Sequence, residues 1–336
     1  MAYFYEDESR GKPVAPFQAA GVGMMQRLRL DPAGLFRLRQ LIRKEQPDVL
    51  HCHTYYTAAG ALALRAMGLR VPILYTVHAN LLKGAQRSDA LVRKVLRACD
   101  LVAAVSWKTA ETVEQYTEDT RVIQVIPNGL DLQRVEVPHG FSAEAKRQSI
   151  GISKGTTVHC SVAALTKQKD HPTLFRAFAK LIRDGHDAVL VVIGAGAQRQ
   201  ALEELARDLK IHDSLRFLGK RDDVREWLAA SHVFVLASHG EGMPISIVEA
   251  SCAGLPIVAT DIGGIADLEK LGVDVRLTRH GDVDDLASKM DEAASAYRAE
   301  YAGKRAALAR SIFSIYNTAE KYQQLYEELT KQRCAA

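Results

Sequence analysis

From residue 47 onward, short runs rich in apolar and β-branched residues alternate with stretches whose apolar positions recur at helical spacing. The pattern predicts strands over 47–53, 71–78, 101–106 and 121–126, with helices over 58–67, 91–98 and 108–115 between them. Pro127-Asn128-Gly129 breaks the series, and 130–153 reads as irregular or weakly helical, the natural place for a crossing between domains. A second series follows, with strands predicted over 157–163, 188–193, 215–218, 233–237 and 256–260. Its helices are predicted over 174–183, 198–209, 224–230 and 245–253, and a polar, tyrosine-rich helix over 316–331 closes the pattern. Such alternation implies parallel sheets covered by helices on both faces. The expected fold is α/β, with two doubly wound, Rossmann-like parallel-sheet domains over residues 1–135 and 136–315. Ligands are expected in the crevice at the carboxyl ends of the strands, where the two domains face each other across a cleft.

Composition excludes several classes. The 336 residues are 47% hydrophobic and 25% charged, the balance of a globular chain with room for two cores. No stretch approaches the roughly 18–20 apolar residues needed to span a bilayer. The longest apolar run, 188–197, reads as a buried strand leading into a glycine turn. The start, Met-Ala-Tyr-Phe-Tyr-Glu-Asp-Glu, resembles no signal or transit peptide, so a cytoplasmic protein is expected. Five cysteines (Cys52, Cys99, Cys160, Cys252, Cys334) lie far apart without a C-x-x-C pair. That spacing argues against a zinc site or a disulfide framework and suits a reducing compartment.

The net charge of +4 is unevenly spread. Residues 1–135 carry 18 Lys/Arg against 13 Asp/Glu, and the remainder carries 26 against 27. Much of the excess lies between Arg27 and Lys44, where Arg27, Arg29, Arg37, Arg39, Arg43 and Lys44 interleave with leucines, Phe36 and Ile42. The part after Asp31-Pro32 reads as a basic amphipathic helix, either a solvated surface helix or a peripheral contact with anionic membrane. No recognition motif accompanies these charges, so nucleic acid is not expected as a partner.

Three windows carry candidate chemistry. In Ser238-His-Gly-Glu241-Gly242-Met243-Pro244-Ile245-Ser246-Ile-Val-Glu249, a strand enters a glycine loop and then a helix, with Pro244 expected at the first helical position. Backbone N–H groups at Ile245 and Ser246 would suit a phosphate. Two carboxylates beside an anion site make chemical sense as acceptors for sugar hydroxyls; the bland reading is a surface loop with a capping carboxylate. In Val162-Ala-Ala-Leu-Thr-Lys167-Gln-Lys169-Asp-His-Pro172, either lysine would neutralise a diphosphate without a metal, and Pro172 is expected at the helix start. In Val191-Val-Ile-Gly194-Ala-Gly196-Ala-Gln-Arg199, the third glycine of a dinucleotide fingerprint is replaced by Arg199, which excludes NAD and leaves a close backbone approach to a nucleotide. His51 and His53 form an H-x-H pair with no third ligand nearby in sequence, so no metal site is expected.

From Pro47 to Leu329 the chain resembles the retaining family-four glycosyltransferases of GT-B fold. The resemblance rests on Glu241-x7-Glu249, Ala250, and Gly254-Leu-Pro-Ile-Val-Ala-Thr-Asp-Ile-Gly263-Gly264. Pro47-Asp-Val-Leu-His, Val125-Ile-Pro-Asn128-Gly-Leu-Asp131, Lys169-Asp-His-Pro and Phe217-Leu-Gly219 add to it. It implies a metal-independent transfer, without a cofactor, from a nucleotide-sugar donor, with retention; the basic Arg27 to Lys44 segment would suit a lipid-linked or polysaccharide acceptor. By resemblance Glu241 holds the donor sugar, Glu249 the ribose, and Lys169, helped by Lys167, balances diphosphate charge. Gly242 to Ser246 present backbone to the distal phosphate, Gly194 approaches the nucleotide, and Gly219, Lys220 and Arg221 border the base. His78, in Tyr75-Thr-Val-His78, is similar to the first-domain histidine that faces the sugar, and residues 316–336 to the helix that packs back on the first domain.

Two departures stand out. The family's opening strand, glycine loop and helix have no counterpart before Gly21-Val-Gly23, so a reduced first domain or a shortened start is expected. A phosphate-contacting arginine is replaced by Ala164. The alternatives are a catalytically impaired nucleotide-sugar-binding or scaffold protein, and a nucleotide-sugar epimerase of the same fold.

Overall fold

The computed structural model describes residues 32–78, 89–117 and 123–335. Two compact units emerge, one of 1–105, 109–126 and 319–336, the other of 106–108 and 127–318. Pro127-Asn128-Gly129 thus begins the second unit, and 127–135 belong with it.

The first unit opens with α1 (Pro32–Glu45), the basic amphipathic helix. Its apolar side buries Ile42, while Phe36 stays 57% exposed beside the exposed Arg37, Arg43 and Lys44. Then come β1 (Leu50–Cys52), α2 (Tyr55–Ala66), β2 (Ile73–Val77), α3 (Asp89–Ala98), β3 (Leu101–Ala104), α4 (Trp107–Thr117) and β4 (Gln124–Val125). The strands form a four-stranded sheet in the order β1-β2-β3-β4, each neighbouring pair parallel. Thr54 starts α2 with a reciprocal capping box, its side chain and that of Thr57 each bonding the other's backbone N–H. Ile73, Tyr75 and Val77 pack on one face against Ala58, Ala61, Val92, Val95 and Leu96. On the other face Leu74, Ala103 and Ile126 meet Leu325 and Leu329. The expectation of a reduced first domain turns on residues before 32, and the Gly21-Val-Gly23, Arg27 and Arg29 positions lie outside the described residues.

The second unit contains α5 (Ala143–Gln148), β5 (Thr157–Val162), α6 (His171–Arg183), β6 (Ala188–Ile193), α7 (Arg199–Asp208), β7 (Leu215–Gly219), α8 (Val224–Ala229) and β8 (Val233–Leu236). It continues with α9 (Ile245–Cys252), β9 (Ile257–Thr260), α10 (Asp267–Lys270), β10 (Val275–Thr278), α11 (Val283–Ala296) and α12 (Ala299–Phe313). The six strands are parallel, in the order β10-β9-β8-β5-β6-β7. All six residues of β6, Ala-Val-Leu-Val-Val-Ile, are buried, as a central parallel strand covered on both faces requires. On one face Leu174, Phe175 and Phe178 of α6, Leu202 of α7, and Leu286 and Met290 of α11 cover Leu190, Val192, Val233, Val235 and Val258. Full burial of each such side chain contributes about 1.5–3 kcal/mol. The last helix, α13 (Ile315–Ala335), begins in the second unit and continues in the first.

The sequence pattern passes over β10, α11 and α12. The strand Val-Arg-Leu-Thr is short and half polar because it is the sheet edge. Helix α11 does announce itself: the Asp282 carboxylate accepts from the N–H groups of Asp284 and Asp285. The segment expected to be irregular over 130–153 holds a short 3₁₀ turn at Leu132–Arg134 and α5. Two proline positions shift by one residue. Pro244 is extended (φ −66°, ψ 125°) and precedes the helix, which begins at Ile245, and Pro172 is the second residue of α6, after His171.

Candidate active site

In the second sheet, chain order runs outward from β5 in both directions, through β6 and β7 on one side and β8 to β10 on the other. In open parallel sheets ligands bind where the strand order changes direction, here between β5 and β8, so the loops after these two strands are the candidate site. Both lead to predicted site residues.

The turn after β5 carries Lys167 and Lys169 and is tied to the loop after β8 by three bonds. His239 donates its N–H to the Gln168 carbonyl at 2.8 Å, and the Gln168 amide donates to the Gly240 carbonyl at 2.8 Å. Between them Lys169 Nζ lies 2.5 Å from Glu241 Oε1, and the Glu241 side chain is only 9% exposed. Sequence reasoning assigns these two residues separate roles, and the structure makes them an ion pair. Lys167 is exposed, as is Ala164. Asp170 holds a left-handed backbone (φ 40°) and caps α6 by accepting from the Thr173 N–H.

Gly242, Met243 and Pro244 are buried, and the loop they form is anchored by Asn128, whose amide donates to the Met243 carbonyl at 2.9 Å. Helix α9 then starts with Ile245 and Ser246, whose N–H groups have no carbonyl within the helix to bond, while the N–H groups of Ile247 and Val248 reach the Pro244 carbonyl. Those two donors and the helix dipole favour negative charge at this point. On the second turn of α9, burial raises the pKa of the half-buried Glu249, with Arg134 acting in the opposite sense. A carboxylate so placed gains from hydroxyl donors.

Under the Glu241 loop lies Gly263-Gly264. Gly263 has φ 52°, and a Cβ there would fall 1.7 Å from the Glu241 carbonyl oxygen; one on Gly264 would fall 2.1 Å from that of Gly242. Glycine is required at both positions because two backbones touch. Gly194 (φ 147°) meets the Ala163 carbonyl in the same way and donates its N–H to the Gly219 carbonyl at 2.8 Å, which brings two predicted nucleotide-facing glycines together. Lys220 is exposed, and Arg221 is held by Asp223 through two 2.7 Å contacts.

In the first unit His78 follows β2 and is exposed; its Nε2 lies 2.8 Å from Nδ1 of His53. Among the described residues no group of three or more His, Cys, Asp or Glu is arranged to hold a metal ion, and no helix is long and apolar enough to cross a membrane. Sequence reasoning missed Asn128, Gln168 and His53 as site-shaping residues. Only Asn128 gave a signal, in the Pro-Asn-Gly break.

Residues 142–311 match the family profile described as Glycosyl transferases group 1, and residues 3–134 that of Glycosyltransferase Family 4. The Escherichia coli UDP-Gal:alpha-D-GlcNAc-diphosphoundecaprenol alpha-1,3-galactosyltransferase is 30% identical over 276 residues, spanning 77% of this chain and 70% of its own. N-acetyl-alpha-D-glucosaminyl L-malate synthase of Bacillus anthracis is 28% identical over 75% of this chain and 67% of its own. Among solved structures, Anabaena Alr3699/HepE in complex with UDP superposes with a TM-score of 0.78 at 21% identity, over 88% of this chain and 82% of its own, which shows a shared GT-B fold. By profile, relatives and fold together, the chain belongs to the group 1 glycosyltransferases and is a glycosyltransferase.

Proposed function

We propose that this glycosyltransferase takes its sugar from a nucleoside-diphosphate sugar bound by the second unit, without a metal and with retention of configuration. The observation that carries this reading is the Lys169–Glu241 pair at 2.5 Å, set beside the unbonded N–H groups that open α9. It puts a cation, two amide donors and a carboxylate on the joined loops after β5 and β8, the set a diphosphate joined to a hydroxyl-rich sugar requires. Lys169 and the helix start would stabilise the leaving diphosphate, and Glu241 would hold the sugar. Glu249 would accept the ribose hydroxyls, with Gly194 and Gly219 giving the nucleoside close access to backbone. His78 of the first unit would serve the sugar, a role taken from family resemblance. UDP is the nucleotide bound in the Anabaena structure, and UDP-glucose occupies a second structure of that protein.

Titration calorimetry of UDP, GDP, ADP and their sugar conjugates, with EDTA present, tests the donor site. One nucleotide should bind wild type, and Glu249→Ala should weaken it at least tenfold, since hydrogen bonds to a charged group contribute about 1.5–3 kcal/mol. Binding of none of them, or equal binding by the variant, would overturn the assignment. Product analysis then separates transfer, which yields free nucleotide and a new glycoside, from isomerisation of the donor.

The acceptor is proposed to be lipid-linked or a growing polysaccharide; the E. coli relative's name gives a diphosphoundecaprenol-linked sugar as that enzyme's acceptor. Helix α1 supports this with an exposed Phe36 among Arg37, Arg43 and Lys44. Peripheral contact of about 1 kcal/mol per basic residue follows. The protein should sediment with phosphatidylserine vesicles at low salt and be released by salt; Arg37→Glu with Arg43→Glu should stay in solution. Failure of wild type to sediment would rule out the membrane face.

A further inference from the structure

Gln168, on the turn after β5, is an exposed, uncharged residue between Lys167 and Lys169. β5 and β8 pair at His159–Val233 and Cys160–Phe234, and past Val162 and Leu236 the two chains run on as loops. The loops meet again at Gln168. Its backbone carbonyl accepts from the His239 N–H at 2.8 Å, and its side-chain amide donates to the Gly240 carbonyl, also at 2.8 Å. A carbonyl only accepts, so the amide nitrogen is the atom that faces Gly240. Gln168 thus holds the backbone at two successive residues, and the next residue is Glu241. Lys169, next in the turn, places Nζ 2.5 Å from Glu241 Oε1.

We infer that Gln168 is a positioning residue for Glu241: its amide fixes the 239–241 backbone so that the carboxylate meets Lys169 and holds the donor sugar. The two loops differ in how firmly they are held without it. The turn is secured at both ends. Leu165 donates its N–H to the Ala195 carbonyl and accepts from the Gln198 N–H, and Asp170 caps α6. The Glu241 loop is secured at Ser238, whose N–H reaches Thr260 Oγ1 at 3.3 Å, and at Met243 by Asn128. Between those anchors, among the described residues, the backbone hydrogen bonds of 239–241 go to Gln168. Loss of the amide therefore loosens the carboxylate side of the ion pair and leaves the lysine side in place. The bond is exposed and contributes little to folding, so its removal acts on the placement of Glu241. The inference rests on the proposed role of Glu241, and the experiment separates the two.

The test uses Gln168→Met, which keeps the length of the side chain and removes the donor, in protein labelled with ¹⁵N-lysine. In wild type the paired Lys169 ammonium should give a slowly exchanging signal, assigned by its disappearance in Lys169→Arg. Gln168→Met should lose that signal, and Gln168→Arg, whose guanidinium can donate to the Gly240 carbonyl, should keep it. Release of UDP from UDP-glucose should fall about tenfold in kcat for Gln168→Met, less than for a group forced out of place. The Kd for UDP, which lacks the sugar, should stay within about threefold of wild type, and kcat should recover in Gln168→Arg. Added to Glu241→Gln, Gln168→Met should lower kcat no further, as expected when one residue acts through another. An unchanged Lys169 signal in Gln168→Met would overturn the inference, as would a loss of kcat that persists in full on top of Glu241→Gln. If instead Glu241→Gln itself keeps wild-type kcat, the sugar-holding reading of Glu241 fails, a result distinguishable because the ammonium signal is read without donor or turnover.

Discussion

Taken from pH 7.5 to pH 5, the second unit is expected to lose about 6 kcal/mol of stability, comparable with the whole stability of an ordinary domain. The cause is three buried histidines. Burial lowers the pKa of His159 to about 3, assisted by His232 and His186. Burial lowers His171 to about 4, with Lys169 adding to the effect and Asp170 opposing it, and lowers His232 to about 4, with Arg147 adding to it. The geometry agrees. His159 Nδ1 and both ring nitrogens of His171 are buried without a hydrogen-bond partner, and His232 Nδ1 accepts from the Val158 N–H at 2.8 Å, a bond that a proton on Nδ1 would break.

In the unfolded chain each histidine titrates near 6.5, so between that value and the folded pKa the unfolded state binds more protons. The stabilisation is therefore complete above pH 6.5 and drains away as the pH falls toward 4. By pH 5 each histidine accounts for about 2 kcal/mol, and the three together give a slope of about 4 kcal/mol per pH unit, opposed by Glu249, whose raised pKa makes the folded state take up a proton as the pH falls. Asp223, kept well below the usual carboxylate range mainly by Arg221, then by Lys146, titrates under this window. Urea titrations followed by tryptophan fluorescence read this unit through Trp227, which is buried in it. His171→Phe should remove about a third of the pH dependence. A midpoint that stays flat from pH 7.5 to 5 would sink the account.

What the sequence made legible follows from periodicity. Strands buried on both faces, such as Ala188–Ile193, read as continuous apolar runs, and their helices carry amphipathic spacing, so both parallel sheets could be inferred. Glu241, Glu249 and Lys169 were singled out because their motifs resemble those of the family, Glu241 and Lys169 in turns after strands and Glu249 on α9. Their pairing was not legible. The Lys169–Glu241 contact depends on β5 and β8 being sheet neighbours, and strands 71 residues apart (Val162 to Val233) become adjacent only through the strand order. For the same reason the His53–His78 contact stayed hidden: the H-x-H pair was set aside for want of a third ligand nearby in sequence, whereas the register of β1 on β2 supplies a partner from the next strand. The edge strand β10 escaped notice because edges need little apolar character.

Gly263→Ala is expected to leave a folded protein whose kcat is about a hundredfold lower. The added Cβ would stand 1.7 Å from the Glu241 carbonyl oxygen, so the loop must move by more than 1 Å to restore ordinary contact. The oxygen is backbone, and its loop is tied down by Asn128 at Met243 and by Gln168 at Gly240, so the shift falls on Glu241 rather than being absorbed elsewhere. A 1 Å error in a group that holds the reacting sugar costs about a hundredfold in rate, or ~2.7 kcal/mol in the barrier. Nucleotide affinity should change little, since Glu249 and the amide donors of α9 sit beyond the displaced segment. The positive φ of Gly263 contributes its own penalty of about 1 kcal/mol to folding, and this must be told apart from the effect on rate. Gly185→Ala supplies the control: Gly185 has φ 89° and nothing within 4 Å of an added Cβ, so it shares the backbone penalty and touches no site residue. Initial rates with the donor identified by calorimetry decide the matter. Loss of kcat in Gly263→Ala but not in Gly185→Ala means that Gly263 acts through the placement of Glu241. A Gly263→Ala rate within threefold of wild type would mean that Glu241 does not hold the donor sugar from the position it occupies on this loop.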